Sequence, residues 1–255
     1  MNILITNDDG VHAKGIQRLY HYLTQSYECT IVAPENNMSA TSSHMTLEKP
    51  LSLHQFDSQC FYINGTPVDC VYLASRIMKQ RHFQCVVSGI NLGANLGNDV
   101  LYSGTVAAAL EGRHLPFPAI AISLASHQGL HFDTAAKVAL DIIPLLPQLP
   151  LMPQSILNIN VPDLPYDELK GIKYTHLGQR ECLGSYHEIK TPKNKTVYWI
   201  GVLNDKEKGT EYSDFRAIHE GYVSITPLTA NMTCLQSINN IKNTAVSKMP
   251  EIFHL

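Results

Sequence analysis

The first ten residues, MNILITNDDG (Met1–Gly10), decide which fold this chain adopts. Asn2 to Thr6 form a short, apolar and branched run that leads into a turn, a pattern typical of a central strand in a parallel sheet. Ligands of open α/β sheets bind beyond the carboxyl ends of the strands, and Asp8 and Asp9 follow the end of this strand. Adjacent carboxylates repel each other, and a hard cation such as Mg²⁺ or Mn²⁺ would offset the repulsion. The alternative is a solvated turn in which Gly10 supplies a positive φ angle.

Composition and charge limit the classes to which the chain can belong. Its 255 residues suit one large α/β domain, or one domain with an appendage. The formal net charge of -3 at pH 7 argues against a nucleic-acid polymer or a membrane surface as a partner. No apolar run is long enough to span a bilayer, and no basic segment precedes the first apolar residues as in a secretion signal. We therefore expect a cytoplasmic protein that binds neither membranes nor nucleic-acid polymers.

The cysteines support the same compartment. They form no C-x-x-C pair, and several lie inside apolar runs; the six are Cys29, Cys60, Cys70, Cys85, Cys182 and Cys234. Buried free thiols in a reducing compartment explain this pattern better than disulfides or zinc ligands do.

The segment after the first strand predicts a βαβ unit. Apolar residues recur at helical spacing from Ile16 to Leu23, and Cys29 to Ala33 form a second strand that ends at Pro34. Such a unit predicts two parallel strands joined by a right-handed crossover. The first turn lacks the G-x-G-x-x-G sequence of dinucleotide-binding folds, which argues against an NAD or FAD enzyme.

A polar, hydroxyl-rich loop, residues 35–46, follows the second strand and therefore opens on the same sheet edge as Asp8 and Asp9. The Ser39 hydroxyl in this loop is a candidate to complete a metal site or to contact a phosphate. The alternative is a solvated loop whose hydroxyl groups bond only to nearby backbone.

The next elements continue the α/β pattern. Residues 51–54 and 60–63 predict two short antiparallel strands, and Thr66 and Pro67 predict the N-cap and the first position of a helix. The predicted buried side of this helix consists of Val68, Val71, Tyr72, Ser75, Ile77 and Met78. Further strands are predicted at residues 84–88, 119–123 and 154–161, with a helix at 133–146.

The pattern changes in the C-terminal part of the chain. Residues 186–190 and 196–200 flank a polar, basic tip and predict a β-hairpin. Because an isolated hairpin is marginally stable, we expect Trp199 and the nearby tyrosines to pack on another subunit or on the core.

The loop from Ser88 to Thr105 is the most informative stretch for function, because four glycines alternate with asparagines in it. Such a backbone can fold closely around a small ligand, with the amides of Asn91 and Asn95 directed inward. The loop predicts a binding site for a small ligand.

The triplet Ser103-Gly104-Thr105 ends this loop, directly before the helix-forming run Val106–Glu111. Hydroxyl groups and a glycine at a helix N-terminus form an anion site, because the first N–H groups and the helix dipole both favour a phosphate. The lysine of the P-loop motif is absent, so a metal ion would have to supply much of the positive charge. The alternative is a capped helix behind a glycine-rich loop.

Six stretches, taken together and in order, resemble the SurE (survival protein E) family of metal-dependent nucleotidases. They are Ile3–Gly10, Ala33–Ser39, Gly65–Asp69, Ser88–Gly97, Tyr102–Ala109 and Gly221–Ser224, and they span nearly the whole chain. The resemblance implies a Rossmann-like α/β fold, with a doubly wound, mostly parallel sheet and a C-terminal β-hairpin extension used for oligomerisation. It also implies a 5′-nucleotidase that hydrolyses nucleoside 5′-monophosphates, with some activity on 3′-nucleotides and short polyphosphate.

The resemblance assigns roles to individual residues. It implies one divalent ion per subunit, Mg²⁺ or Mn²⁺. The ligands of this ion in the family map onto Asp8, Asp9, Ser39 and Asn91. The residues that contact the phosphate in the family map onto Asn95, Ser103, Gly104 and Thr105. From the sequence, Asn91 and Asn95 could exchange these roles. Family members exchange C-terminal parts between subunits, which implies a homodimer or homotetramer. We accordingly expect a catalytic core at residues 1–165 and an extension with the hairpin at 166–255, within one structural unit.

The resulting hypothesis is hydrolysis by a metal-activated water, with the phosphate held for in-line attack and Asp8 or Asp9 as the proton acceptor. The chain has Thr229 and Asn231 where relatives often have His and Asp, so no general acid is assigned. In one alternative Asp8 is a covalent nucleophile, although the dehalogenase-type phosphatases need a second aspartate where this chain has Gly10. In the other, the chain is a non-catalytic nucleotide sensor, which would have little use for paired carboxylates.

Overall fold

The fold is described by a computed structural model that covers residues 1–180, 186–200, 207–208 and 210–245. The strands of these ranges are β1 (Asn2–Thr6), β2 (Glu28–Pro34), β3 (Leu53–Gln55), β4 (Cys60–Ile63), β5 (Cys85–Leu92), β6 (Ile120–Ala125), β7 (Ile156–Pro162), β8 (Ile172–Tyr174), β9 (Gln179–Arg180), β10 (Tyr186–Lys190), β11 (Thr196–Ile200), β12 (Glu207–Lys208) and β13 (Val223–Leu228). In the described part, one nine-stranded sheet has the order β3-β4-β2-β1-β5-β6-β7-β13-β8. The predicted central strand is confirmed, because β1 pairs in parallel with β2 on one side and with β5 on the other.

Helices cover both faces of this sheet. The described ones are α1 (Lys14–Leu23), α2 (Pro67–Ile77), α3 (Gly104–Glu111), α4 (Phe132–Ile142), α5 (Asp214–His219) and α6 (Leu235–Ala245). Side chains of β1 alternate between the faces, so that Ile3 and Ile5 pack with α1 and α4, whereas Leu4 packs with α2 and α3. The predicted doubly wound, mostly parallel α/β architecture is confirmed, including the unit formed by β1, α1 and β2.

Helix α2 begins as predicted, and its predicted buried face is confirmed in part. Thr66 accepts the Asp69 N–H through Oγ1, the Asp69 carboxylate accepts the Thr66 N–H, and Pro67 occupies the first turn. The expected burial of Tyr72 and Ile77 is wrong, because these side chains are 36% and 51% exposed. Val68, Val71 and Met78 are buried as predicted, and Pro67, Cys70 and Ala74 complete the buried face, which is directed towards β1, β2 and α3.

The C-terminal part of the chain completes the main sheet. Strand β13 pairs antiparallel with β7 and parallel with β8, while β12 pairs with β9 in a separate ribbon. The predicted hairpin is confirmed as β10 and β11, with Tyr186 opposite Ile200 and Lys190 opposite Thr196. Trp199 is 70% exposed, so it does not pack on the core of this chain.

The described cysteines carry free thiols. Cys29, Cys60, Cys70 and Cys85 are buried and Cys234 is exposed, while Cys182 lies outside the described residues. Burial raises the pKa of the Cys29 thiol to about 12 and that of Cys60 to about 11, which suppresses the thiolate. None of the helices in the described part is long and apolar enough to cross a membrane.

Candidate active site

The carboxyl end of β1 presents Asp8 to the start of α3. Asp8 is 3% exposed, and its Oδ1 accepts a hydrogen bond of 2.5 Å from the Thr105 hydroxyl. Its main-chain carbonyl accepts the Met38 N–H at 2.7 Å, which attaches the loop after β2 to the same point. The Asn7 side chain bonds to both the N–H and the carbonyl of Gly10 and so closes the turn that carries the two aspartates.

Asp9 faces a different strand from Asp8. Its side chain is partly exposed, and Oδ2 accepts the main-chain N–H of Leu92, at the end of β5, at 3.2 Å. The two carboxylates therefore contact opposite ends of the glycine-rich loop, since Asp9 meets its beginning and Asp8 its final residue, Thr105. This arrangement follows from the parallel pairing of β1 with β5, which brings their carboxyl ends to one edge.

Burial makes the two carboxylates hard to ionise. Burial raises the pKa of Asp8 to about 6, and repulsion from Asp9 adds to this effect, whereas the hydrogen bond from Thr105 opposes it. Burial also raises the pKa of Asp9, against the lowering effect of the Leu92 N–H. A cation bound between such groups would stabilise their charged forms and lower both pKa values.

Glycine is required at position 104 because the backbone of α3 approaches Asp8 closely. A Cβ atom at Gly104 would lie 2.9 Å from the Asp8 Cβ and 3.2 Å from the Pro67 Cγ, so the start of α2 closes the other side. Ser103 is the N-cap of α3, because its Oγ accepts the Val106 N–H at 3.1 Å. Ser103 therefore caps the helix through its oxygen, and its hydroxyl hydrogen can still be donated to an anion.

Asn95 is held by the neighbouring strands β6 and β7. Its Nδ2 donates to the Ser123 Oγ at 2.8 Å, and its main-chain N–H donates to the Asn160 Oδ1 at 2.8 Å. Its carbonyl accepts from the Nδ2 atoms of Asn158 and Asn160 at 2.8 and 3.0 Å. The Asn91 Nδ2, in contrast, donates to the Gly93 carbonyl at 2.8 Å within the loop, which leaves Oδ1 as its acceptor atom.

Three residues that support the site, Ser123, Asn158 and Asn160, are not among those predicted from the sequence. All three are fully buried, in strands whose other residues are mainly apolar. The available signal was the spacing of Asn158 and Asn160, which lie two residues apart and therefore on the same side of β7. Buried polar side chains need hydrogen-bond partners, and both asparagines bond to the backbone of Asn95.

Ser39 is exposed and lies next to Met38, the residue whose N–H binds the Asp8 carbonyl. Its hydroxyl donates to the Asn37 Oδ1 at 2.6 Å, so its oxygen lone pairs remain able to accept or to bind a cation. Ser42 anchors the same loop to the glycine-rich loop, because its Oγ donates to the Leu101 carbonyl at 2.7 Å. The structure thus brings this loop, Asp8 and the start of α3 together.

The donor set fits a hard divalent cation. Among the residues that the structure describes, no three His, Cys, Asp or Glu side chains cluster in a way that could hold a metal ion. The candidate ligands are instead two carboxylates, Asp8 and Asp9, with the neutral oxygens of Ser39 and Asn91. Oxygen donors of this kind suit Mg²⁺ or Mn²⁺ rather than zinc, which favours nitrogen and sulfur.

Fold and site together define a doubly wound α/β protein that has a carboxylate pair beside a helix N-terminus at the carboxyl edge of its sheet. The family model described as "Survival protein SurE" matches residues 3–183. The chain therefore belongs to the SurE family.

Individual relatives agree with this assignment over nearly their whole length. A protein of Actinobacillus succinogenes named 5′-nucleotidase SurE is 49% identical over 242 residues, which cover 95% of this chain and 98% of the relative. A protein of the same name from Haemophilus influenzae is 49% identical over 243 residues, with coverage of 95% and 97%. The crystal structure of the SurE protein from Aquifex aeolicus matches with a TM-score of 0.82 and 36% identity, over 95% of this chain and 99% of that chain.

Proposed function

We propose that this chain is a divalent-metal-dependent phosphatase that hydrolyses nucleoside 5′-monophosphates to nucleoside and phosphate, that is, a 5′-nucleotidase. The names of the relatives support the substrate class. The resemblance noted above extends the proposal to 3′-nucleotides and short polyphosphate as further substrates. One ion per subunit, Mg²⁺ or Mn²⁺, is part of the same proposal.

The contact between Asp8 and Thr105 carries the proposal. A phosphate bound at the start of α3 would lie next to a buried carboxylate, and two anions at this distance repel each other strongly in a medium of low dielectric constant. The arrangement becomes favourable when a divalent cation binds both groups. A site built for anion binding alone would gain nothing from Asp8, whose burial already opposes its ionisation.

The chain's own residues divide the work between binding and proton transfer. Ser103, Gly104 and Thr105 bind and orient the phosphate with hydroxyl and main-chain N–H groups, and Asn95 contributes its amide. Asp8, Asp9, Ser39 and Asn91 would hold the ion, which when bound supplies positive charge and lowers the pKa of water. Either Asp9, whose side chain is partly exposed, or Asp8 would accept the proton of the attacking water.

We also propose a homodimer or homotetramer that assembles through the hairpin of β10 and β11, as part of an extension at residues 166–255 attached to a core at 1–165. The exposed apolar side chains of Tyr186, Tyr198 and Trp199, which are 69%, 65% and 70% exposed, support this proposal. Buried free thiols support a cytoplasmic location. Sedimentation velocity of the wild type and of Trp199→Ser tests the assembly, since the variant should dissociate.

The function is tested by phosphate release from a panel of nucleoside 5′-monophosphates and an aryl phosphate. The purified protein is assayed with Mg²⁺, with Mn²⁺ and with excess EDTA, together with Asp9→Asn and with Asp167→Asn, which changes an exposed aspartate away from the site. We expect turnover that EDTA abolishes, that Asp9→Asn lowers at least about 100-fold, and that Asp167→Asn leaves unchanged.

Other outcomes would contradict the proposal. Turnover that persists in EDTA would exclude a metal-dependent mechanism, and a trapped phospho-enzyme would indicate Asp8 as a nucleophile. Nucleotide binding without turnover under any metal, if it survives in Asp9→Asn, would identify a sensor.

A further inference from the structure

A concavity lies at the amino edge of the main sheet, opposite the candidate active site. Its volume is about 670 Å³, which is within the range that small organic ligands occupy. It is lined by the first residues of β1 and β2, by the end of α1, by Gln59 and by the segment after α2. Strand β1 has five residues, so about 16 Å of sheet separates this concavity, which we call the amino-edge pocket, from Asp8. The pocket is therefore distinct from the site proposed for the phosphate and the metal ion.

Arg81 lines the amino-edge pocket with a guanidinium group that is fixed in position. Its Nη1 donates to the Thr30 Oγ1 at 3.1 Å and to the Gln59 Oε1, and its Nη2 donates to the Ser58 carbonyl at 2.9 Å. The guanidinium also lies over the Phe61 ring, 5.5 Å from its centre. Because these contacts come from β2, from β4 and from the turn before β4, the group is oriented before any ligand binds.

Among the described residues, no acidic side chain forms an ion pair with this guanidinium. Its three hydrogen-bond acceptors are neutral, and they leave two of the five guanidinium N–H donors for a ligand. The Arg81 side chain is half-buried, so water screens its charge less than it screens an exposed lysine. A planar guanidinium with free donors is suited to a carboxylate or a phosphoryl group.

Aromatic side chains form further walls of the amino-edge pocket. Tyr20, Tyr27 and Phe83 all line it. Burial raises the pKa of the Tyr20 hydroxyl, and repulsion from Asp57 adds to this effect while Arg81 opposes it. Tyr20 therefore stays neutral at pH 7 and offers a hydroxyl donor together with its ring. Rings of this kind pack well against a flat aromatic ligand.

Two carboxylates near the amino-edge pocket limit the charge of its ligand. Glu28 is exposed and lines the pocket, and it lies two residues before Thr30 on the same side of β2. About 7 Å of strand thus separates Glu28 from the residue that binds Arg81. Asp57 is the second carboxylate, and it acts on Tyr20 as described above. These charges repel a polyphosphate strongly and an anion with one or two charges only weakly.

We propose that the amino-edge pocket is a second ligand site, which takes a small organic anion with an aromatic ring. Arg81 binds the carboxylate or phosphoryl group of this ligand, and the ring packs against Tyr20 and Tyr27. The inference does not rest on the proposed function, because these residues lie at the opposite edge of the sheet from the candidate active site.

The test uses phenylacetate, phenylphosphonate and the neutral benzyl alcohol as probes of the 255-residue protein. Backbone amide shifts in NMR spectra locate each probe and give its Kd. We expect both anions to shift residues 27–30 and 80–83, and benzyl alcohol to bind there at least about tenfold more weakly. The tighter of the two anions identifies the chemistry, carboxylate or phosphoryl, that the site prefers. Shifts at residues 8–10 and 103–105 report the candidate active site separately.

Substitutions of the two charged groups should have opposite effects. Arg81→Gln should raise the Kd of phenylacetate about tenfold or more, and Arg81→Lys, which keeps the charge but loses the planar donors, should raise it less. Glu28→Gln should lower the Kd about twofold to fivefold, because a repelling charge is removed. The matched control Lys79→Gln removes an exposed positive charge outside the pocket, and it should change the Kd less than about twofold.

Glu28→Gln keeps the proposal testable if Arg81→Gln fails to fold, because Glu28 is exposed whereas Arg81 joins β2 to the turn before β4. Shifts confined to residues 8–10 and 103–105, or equal Kd values for phenylacetate and benzyl alcohol, would overturn the second site. A Kd that Glu28→Gln raises or leaves unchanged would also overturn it. Phosphate release should be the same in Glu28→Gln and the wild type, so the proposed function and this site succeed or fail in separate assays.

Discussion

Asn160 makes two hydrogen bonds with the backbone of Asn95, although 65 residues separate them in the sequence. Its Oδ1 accepts the Asn95 N–H at 2.8 Å, and its Nδ2 donates to the Asn95 carbonyl at 3.0 Å. Both residues are buried, so water cannot replace these bonds if one partner is removed. The position of Asn95 in the glycine-rich loop is therefore set by strand β7.

Replacing this asparagine should impair catalysis more than stability alone explains. We expect Asn160→Ala to lower kcat about 10- to 100-fold and to destabilise the chain by about 2–3 kcal/mol, because the buried Asn95 N–H loses its partner and the Asn95 carbonyl keeps only Asn158. Steady-state kinetics well below the unfolding temperature and urea unfolding measure the two effects. Leu157→Ala, on the same buried strand but without contact to Asn95, should lose comparable stability and keep its kcat. Equal kcat values in the two variants would exclude a positioning role for Asn160.

The close approach of Gly104 to Asp8 predicts that a single methyl group displaces the start of α3. In Gly104→Ala the new Cβ would come within 2.9 Å of the Asp8 Cβ and 3.0 Å of its Oδ2, so the two must separate. We expect kcat/KM to fall about 100-fold or more, since a displacement of about 1 Å in a catalytic group can have this effect.

Gly112→Ala is the matched control for this variant. It introduces a closer contact at the other end of α3, where a Cβ would lie 2.4 Å from the Val86 Cγ2 in the core. It should therefore reduce stability, as measured by thermal unfolding, and leave the kcat/KM of the folded protein close to that of the wild type. If both variants lose activity in proportion to stability, the contact at Gly104 has no specific role.

The raised pKa of Asp8 predicts that, without metal, the free energy of unfolding depends on pH. The folded carboxyl has a pKa of about 6 against an ordinary value of 3.8, so the wild type gains stability as the pH falls through 6 towards 4 and loses it as the pH rises. Asp8→Asn removes the titration and keeps an oxygen that can accept from Thr105. In EDTA at pH 8 we expect this variant to be more stable than the wild type, by at most about 3 kcal/mol, with the difference shrinking towards pH 4.

Urea unfolding in EDTA at pH 8, 6 and 4.5 measures this difference. Asp167→Asn, at an exposed position, should show no such pH-dependent gain. Added Mg²⁺ should stabilise the wild type and not Asp8→Asn, because a ligand that binds only the folded state stabilises it. A variant less stable than the wild type at pH 8 in EDTA would show that burial does not dominate at Asp8.

Asp214 connects the C-terminal part of the chain to the glycine-rich loop. Its fully buried carboxylate accepts the N–H groups of Gly97, Gly178 and Phe215 at 2.7, 2.8 and 2.9 Å. In Asp214→Asn the NH₂ group must face at least one of these donors, and we expect a loss of about 2–4 kcal/mol in the free energy of unfolding.

The control for this prediction is Asp133→Asn, which removes an exposed ion pair with Arg18. Surface pairs of this kind contribute roughly 0–1 kcal/mol, so chemical denaturation should show a small change. Similar losses for the two variants would mean that the three N–H groups find other acceptors.

Local signals in the sequence predicted the elements that frame the site. The apolar run before Asp8 marks a buried strand, Thr66 and Pro67 mark the start of α2, and the polar tip at residues 191–195 marks the hairpin. Each signal lies within a few residues, where backbone preference and side-chain spacing act directly. The exposed positions of Tyr72 and Ile77 show the limit, because packing against neighbouring elements decides which face of an apolar helix is buried.

The sequence by itself determined that two carboxylates, Asp8 and Asp9, follow the central strand. It also determined that hydroxyl groups and a glycine, in Ser103–Thr105, lie at the start of a later helix. The rule that parallel strands share a carboxyl edge then brought the two groups to one side of the sheet. Only the tertiary structure decided that Thr105 donates to Asp8, that Asn160 holds Asn95, and that Asp69 and Asp214 attach neighbouring segments to the site. These bonds join atoms that are distant along the chain, and their partners are selected by packing and by the need to satisfy every buried polar group rather than by any local pattern.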